Sequence, residues 1–268
     1  MRILVTSGPT REHIDDVRYI SNASSGRMGC CLAEAARRRG HKVTFISGPV
    51  DVKPPRGVKN VNVISARDML KQTLKHFKNC DCLIMAAAVS DYMPALKIKG
   101  KMKKGKTAMA LRLVKTPDIL AEVARTKKKY QVVIGFALEA DFNMDYAVDK
   151  LNKKKLDMVV LNTVKAIGAD KSSAWIITGD RLKVKGDRLN GRRAVDEGGK
   201  MKNEEGRTAG EEGKMKNEKW KMKDETKGDR MSGCKDSAMK LNNVSKRRIA
   251  DVILANAERI FYNKMNVY

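Results

Sequence analysis

Arg2-Ile3-Leu4-Val5-Thr6, then Ser7-Gly8-Pro9-Thr10, then Ser24-Ser25-Gly26-Arg27-Met28-Gly29 decide the fold of this 268-residue chain. An apolar run that closes on Gly-Pro predicts a buried parallel strand ending in a tight turn. The Ser-Ser-Gly segment opens a predicted helix reaching about Arg39, with Met28, Leu32, Ala35 and Ala36 as its apolar or small positions. Strand, small-residue loop and helix N-terminus make a place where backbone N–H groups face an anion. The spacing is not G-x-G-x-x-G, so the standard dinucleotide fingerprint is absent. The start therefore points to phosphate chemistry without a nicotinamide cofactor.

Outward from this unit, strand-like and helix-like segments alternate as far as about residue 178. Predicted strands cover residues 42–47, 83–88, 132–136 and 158–161, and predicted helices cover 68–77, 117–124 and 146–151. Pro117 falls in the first turn of its helix, where proline is tolerated. Such alternation implies an α/β fold: a mostly parallel sheet with helices on both faces, its ligands gathered at the carboxyl ends of the strands. From about Arg181 to Lys240 the character changes, with 18 Lys/Arg against 12 Asp/Glu and Trp220 as the one aromatic. Gly199-Lys200-Met201-Lys202-Asn203-Glu204 recurs at Gly213-Lys214-Met215-Lys216-Asn217-Glu218, and Lys221 to Glu225 is a partial third copy. So little apolar surface cannot offset the entropy of ordering, and the segment reads as a disordered, duplicated insertion. Three regions are expected: a ligand-binding domain over 1–180, the charged insertion over 181–240, and a C-terminal helix over 241–268. Asn243 or Ser245 would cap that helix, and Ile249, Val252, Ile253, Ala257 and Ile260 would form its apolar face against the sheet.

The formal net charge of +25 favours anionic partners such as nucleotides, phosphorylated metabolites or nucleic acid. Met1 leads directly into a strand, and no apolar run approaches the ~20 residues that span a bilayer. The five cysteines, odd in number and set in or beside apolar segments, read as reduced core thiols of a cytoplasmic protein. Cys80-Asp81-Cys82 lacks C-x-x-C spacing, and three scattered histidines argue against a metal cage. No metal ligand is assigned from sequence.

Several residues carry candidate chemistry. The Asn22 amide offers donor and acceptor to a reacting acyl group, and Arg18 offers a fork for phosphate; a turn asparagine and a surface arginine are the plainer alternatives. Asp91 follows the predicted strand ending at Ala88, where a carboxylate meets a nucleotide or its magnesium, or merely forms an Asx-turn. Residues 97–106 include six lysines, with Gly100 and Gly105 conferring flexibility. Such a loop either closes over a triphosphate or is a solvated face. Phe136, at the end of its predicted strand, would stack on a base or fill the core. Lys150 and Lys154 stand one helical turn apart, within reach of one phosphate.

Five ordered motifs then match a known family. They are Gly8-Pro9-Thr10-Arg11-Glu12, Val17 through Gly29, Ala86-Ala87-Ala88-Val89-Ser90-Asp91-Tyr92, Lys101-Met102-Lys103-Lys104 and Lys115-Thr116-Pro117-Asp118-Ile119-Leu120. The chain closely resembles bacterial phosphopantothenoylcysteine synthetase over about residues 1–180 and again from Asn243 to Arg248. In most bacteria this ligase of coenzyme A biosynthesis is the C-terminal half of a bifunctional protein, behind a flavin-dependent decarboxylase. The resemblance implies a Rossmann-like fold and a two-step reaction. CTP activates 4′-phosphopantothenate as an acyl-cytidylate with loss of pyrophosphate, and L-cysteine then attacks through its amine with loss of CMP. By position, Asn22 serves the acyl-cytidylate, and Lys101 serves cysteine transfer and the nucleotide. Arg18 and Ala88 are implied substrate contacts. Met85, Ala86, Ala87, Asp91, Pro117, Asp118, Ile119, Leu120, Phe136, Lys150 and Lys154 are implied nucleotide contacts. The resemblance further implies magnesium with CTP and a homodimer with its active site near the subunit interface. With no flavin domain ahead of Met1, the expectation is the monofunctional form, whose product goes to a separate flavin-dependent decarboxylase. The insertion lies outside the family pattern. The competing reading is a basic nucleic-acid-binding protein on a degenerate nucleotide-binding fold, but such binding does not require Asn22, Asp91 and Lys101 together.

Overall fold

The computed structural model describes residues 1–103, 108–179 and 238–267. Near-continuous apolar runs build the middle of a central sheet of eight strands. In chain order these are β1 (Arg2–Ser7), β4 (Lys42–Ser47), β5 (Lys59–Asn62), β6 (Cys82–Met85), β9 (Val132–Glu139), β10 (Met158–Thr163), β11 (Lys171–Thr178) and β12 (Ala238–Ser245). Two short hairpins stand beside it: β2 (Arg11–His13) with β3 (Tyr19–Ser21), and β7 (Tyr92–Pro94) with β8 (Leu113–Lys115). The spatial order is β12-β11-β10-β9-β6-β1-β4-β5. β5, β4, β1, β6, β9 and β10 run parallel, while β11 and β12 add an antiparallel pair at one edge. Counting only the six parallel strands, the order is 3-2-1-4-5-6, the Rossmann arrangement, with its switch point between β1 and β6.

The pleat divides the core by residue parity. Ile3 and Val5 of β1 join Val43, Phe45, Ile84, Ile134 and Val160 on one face, beneath α1 (Arg27–Arg38) and the long α5 (Lys246–Met265). Leu4 joins Ile46, Leu83, Val133 and Val159 on the other face, beneath α2 (Ala66–Phe77), α3 (Ile119–Thr126) and α4 (Met144–Lys153). Fully burying each such Ile or Leu is worth about 1.5–3 kcal/mol. Both faces are therefore covered, as a parallel sheet requires. Cys30, Cys31, Cys80 and Cys82 are free thiols. Burial pushes Cys80 up to about 12 and Cys30 up to about 11, so both stay neutral.

Several boundaries differ from the sequence expectation. β6 stops at Met85 and not at Ala88, because the Ala86 amide turns back onto the Ile84 carbonyl and the Ala87 amide takes the Thr6 hydroxyl. Phe136 lies inside β9 and not at its end, since β10 keeps pairing with β9 as far as Glu139. Pro117 lies outside α3: Asp118 is the N-cap, its carboxylate accepting from the Ala121 amide, so the helix starts at Ile119. Asn243 does not cap α5; it lies in β12 at φ 44°, and Ser245 caps the helix through the Arg248 amide. Residues 238–240 belong to β12, so the C-terminal unit begins before the expected boundary at 240. The remainder of the expected insertion falls outside the described residues. Its flanks are adjacent, because Ile177 pairs directly with Ala238.

Candidate active site

The switch point is assembled from the loops that leave β1, β3 and β6. Gly8, at φ +73°, lets the chain turn after β1, and a Cβ there would meet Val50 at 3.0 Å. Pro9 then bridges in parallel to Ala88, and the Ala88 amide donates to the Gly8 carbonyl at 2.9 Å. The Thr10 hydroxyl accepts from the Ser90 amide at 3.0 Å, which fixes the loop after β6 against the loop after β1. α1 begins beside this turn behind Gly26, which sits at φ +72° and provides no side-chain cap. The Ser7 hydroxyl donates to the Gly26 carbonyl at 3.0 Å and sets the helix start on the end of β1.

Asn22 follows β3 and reaches across to this junction. Its Nδ2 donates to the Ala88 carbonyl at 3.3 Å and to the Val89 carbonyl at 3.1 Å. Its side chain thus joins the turn carrying Arg18 to the loop carrying Met85 through Asp91. Arg18 is half-buried and donates from Nη2 to the Met102 carbonyl at 3.1 Å. Lys101 is exposed and is placed through its neighbours. Gly100 exchanges two hydrogen bonds with Asp16, and the Met102 amide donates to Asp15. The segment 97–102 is thus fastened to residues 14–18. Residues 104–107 lie outside the described residues.

A second group lies at the carboxyl ends of β6 and β9. The Lys150 Nζ donates to the Phe136 carbonyl at 2.8 Å. Burial pushes the Lys150 ammonium below the usual lysine range, against the attraction of Glu139, Asp118 and Asp91. Lys154 ion-pairs with Asp118. Burial opposes ionisation of Asp118, but the bonds from Lys154 and the Ala121 amide outweigh it and hold its carboxyl below the ordinary value. Asp91 is exposed, and its carbonyl accepts from the Thr116 amide at 2.9 Å, next to Pro117. The Phe136 side chain packs against the core beneath α1 and α5.

The structure therefore brings the expected residues into two adjoining clusters. Asn22, Arg18, Ala88 and the Lys101 segment form one. Lys150 on the Phe136 carbonyl, Lys154 on Asp118, and Asp91 beside Thr116-Pro117 form the other, whereas Met85, Ala87, Ile119 and Leu120 belong to or pack on the core beneath α2, α3 and α4, and Ala86 and the Phe136 side chain pack on the core of the opposite face. Sequence reasoning missed Asp15, Asp16, Thr10 and Glu139. The paired aspartates ahead of Val17-Arg18 carried a turn signal, but nothing local announced their partners more than 80 residues away.

Residues 1–192 match the model of the DNA/pantothenate metabolism flavoprotein C-terminal domain. The chain belongs to this family. Among curated family relatives, the coenzyme A biosynthesis bifunctional protein CoaBC of Haemophilus influenzae is 43% identical over 164 residues, 61% of this chain and 41% of that protein. A cysteine/cysteine sulfinic acid decarboxylase from an unidentified prokaryotic organism is 45% identical over 169 residues, 63% of this chain and 47% of that protein. The chain thus spans less than half the length of these two relatives. A crystal structure of the C-terminal domain of CoaBC superposes with a TM-score of 0.66 at 29% identity, covering 98% of this chain and 96% of the other. The resemblance carried by the sequence motifs is borne out at the level of family and fold.

Among the described residues, no helix is long and apolar enough to cross a membrane. No cluster of three or more His, Cys, Asp or Glu among them is arranged to hold a metal ion. Asp91 offers one exposed carboxylate beside the loop after β6, and magnesium commonly takes one or two carboxylates with the rest of its shell from phosphate and water oxygens.

Proposed function

We propose that this chain is a phosphopantothenate–cysteine ligase acting in coenzyme A biosynthesis. The observation that carries the reading is the bridge from Asn22 to the Ala88 and Val89 carbonyls, which joins the hairpin of Arg18 to the loop after β6 at the switch point. In this mechanism a carboxylate oxygen of 4′-phosphopantothenate attacks the α-phosphorus of CTP, and pyrophosphate leaves. The L-cysteine amine then attacks the acyl carbon of the acyl-cytidylate, and CMP leaves with the bonding pair. Arg18 and Ala88 hold the pantothenate portion. Phe136, Lys150, Lys154, Asp118 and Met85 through Ala87 hold the nucleotide. Lys101 supplies a cation where charge develops during transfer. Asp91 would hold a magnesium ion against the triphosphate, where the ion neutralises phosphate charge.

The active unit in this reading is a homodimer, and exposed Val17, Tyr92 and Leu96 on and beside the hairpins next to the site are apolar surface that a second copy would cover. The product carries the cysteine carboxyl group that a flavin-dependent decarboxylase removes. The test is an assay of purified protein with phosphopantothenate, L-cysteine, magnesium and either CTP or ATP. Pyrophosphate and amide product together, with the stronger signal from CTP, support the ligase. Carbon dioxide release from cysteine, without amide product, supports the decarboxylase reading suggested by one relative's name.

A further inference from the structure

Asp15 has no exposed surface, yet it is a carboxylate in the connection that joins β2 to β3 within one hairpin. A buried carboxylate is tolerated only when its oxygens are bonded. Here Oδ1 accepts from the Val17 amide at 2.8 Å and the Arg18 amide at 2.6 Å. Oδ2 accepts from the Met102 amide at 3.1 Å and lies 3.6 Å from the Arg18 guanidinium. One oxygen therefore shapes the 15–18 turn, while the other reaches a segment 87 residues away. Arg18 completes the tie by donating to the carbonyl of the same residue, Met102. Further along, the Ile98 amide donates to the Ile14 carbonyl at 2.8 Å, and Lys97 pairs with Asp16 at 2.9 Å. The bonds from the Arg18 amide first, then from Val17 and Met102, hold the Asp15 carboxyl below the usual carboxylate range despite its burial.

We propose that Asp15 is a positioning residue that sets Lys101 for the cysteine-transfer step. The proposal rests on the ligase reading above. The tie ends on Met102, the residue after Lys101, so it fixes where the Lys101 backbone stands relative to Arg18 and, through β3, to Asn22. The lysine side chain itself stays exposed and free to meet substrate. Misplacing a reacting group by about 1 Å can cost on the order of 10²-fold in rate, so a single buried carboxylate can govern the step without touching substrate.

Asp15→Asn separates the two oxygens. The retained Oδ1 can still accept from Val17 and Arg18 and hold the turn. The new NH₂ group faces the Met102 N–H and the Arg18 guanidinium, so donor meets donor and the bond from the Met102 amide is lost, while the bonds of Ile14 and Asp16 to residues 97–100 remain. The expected result is amide formation slowed by about 10- to 100-fold in kcat. Pyrophosphate release before cysteine addition falls less than amide formation does. The double variant Asp15→Asn/Lys101→Gln falls no further than Lys101→Gln alone, because the two residues act through one step. Hydrogen exchange at the Met102 amide rises in Asp15→Asn, a readout that needs no turnover.

Unchanged exchange at Met102 overturns the positioning role whatever the activity. Additive losses in the double variant, or equal losses in both half-reactions, overturn it as well. A parent protein that makes no amide product overturns the ligase reading and, with it, the catalytic part of the proposal; the exchange result still decides whether Asp15 places the segment. If Asp15→Asn does not fold, Asp16→Ala takes its place, because Asp16 is half exposed and its loss frees only the Gly100 amide and Lys97, while the Asp16 amide keeps its bond to the Gly100 carbonyl. That variant must slow amide formation and spare pyrophosphate release, or the proposal fails.

Discussion

Replacing Asn22 tests the proposed chemistry where the two clusters meet. Its Nδ2 makes two hydrogen bonds, at 3.3 and 3.1 Å, to carbonyls of the loop after β6. A net hydrogen bond is worth about 1 kcal/mol, so losing both removes roughly 2 kcal/mol of positional preference, or about 30-fold in rate. Asn22→Ala should therefore lower kcat/KM by about 30-fold. Asn22→Asp loses the same donors and sets a carboxylate oxygen against the Ala88 and Val89 carbonyls. It also adds a negative charge beside the acyl phosphate. At an exposed site two like charges about 4 Å apart repel by about 1 kcal/mol, a further fivefold or more. The aspartate variant should fall by more than about 10²-fold. Both variants should still fold, with stability lowered by no more than about the 2 kcal/mol the two bonds are worth, since Asn22 is exposed. The assay is single-turnover amide formation with phosphopantothenate, CTP and L-cysteine, followed together with pyrophosphate. An aspartate variant as active as the alanine variant, or either within about threefold of the parent, refutes the role given to this amide.

Lys101→Gln should keep pyrophosphate release and slow amide formation by about 10²-fold; equal cysteine-dependent rates in parent and variant remove Lys101 from the mechanism. Asp118 has a carboxyl held below its ordinary value, so it contributes stability above the unfolded pKa of about 4 that is lost as pH falls through the lower folded value. Asp118→Asn should therefore flatten the loss of stability below about pH 4 in denaturant titrations at stepped pH, and an unchanged acid limb rejects the assignment. Replacing residues 180–237 with a four-residue Gly/Ser turn shortens a connection whose flanks already pair at Ile177 and Ala238. At about 0.6 kcal/mol per doubling, roughly four doublings should raise stability by about 2 kcal/mol without loss of amide formation. A shortened protein that unfolds, or that folds without ligating cysteine, shows that the segment is needed.

The parallel half of the sheet was legible because its strands are apolar runs bounded by turn residues, and because their carboxyl ends must share one side. That rule places the loops after β1 and β6, with Asp91, on one side of the sheet; Asn22 on the β2–β3 hairpin and Lys150 on α4 reach it through contacts of their own. The antiparallel edge was not legible. β12 reads Ala-Met-Lys-Leu-Asn-Asn-Val-Ser with its side chains mostly exposed or half-buried, and it carries little apolar signal. Short segments such as β5, Lys-Asn-Val-Asn, are held by pairing with β4 and not by their own composition. The end of β6 was misplaced for a related reason: alanine favours no conformation strongly enough to mark where Met85 leaves the sheet. Asp15 and Asp16 show the limit most plainly. They are identical neighbours, yet one side chain has no exposure and the other is half exposed. Which of them reaches Met102 depends on how the hairpins bring residues 14–18 against 97–102. Local pattern identifies the residues able to do chemistry, whereas the residues that place them are chosen by contacts across the chain and carry no local mark.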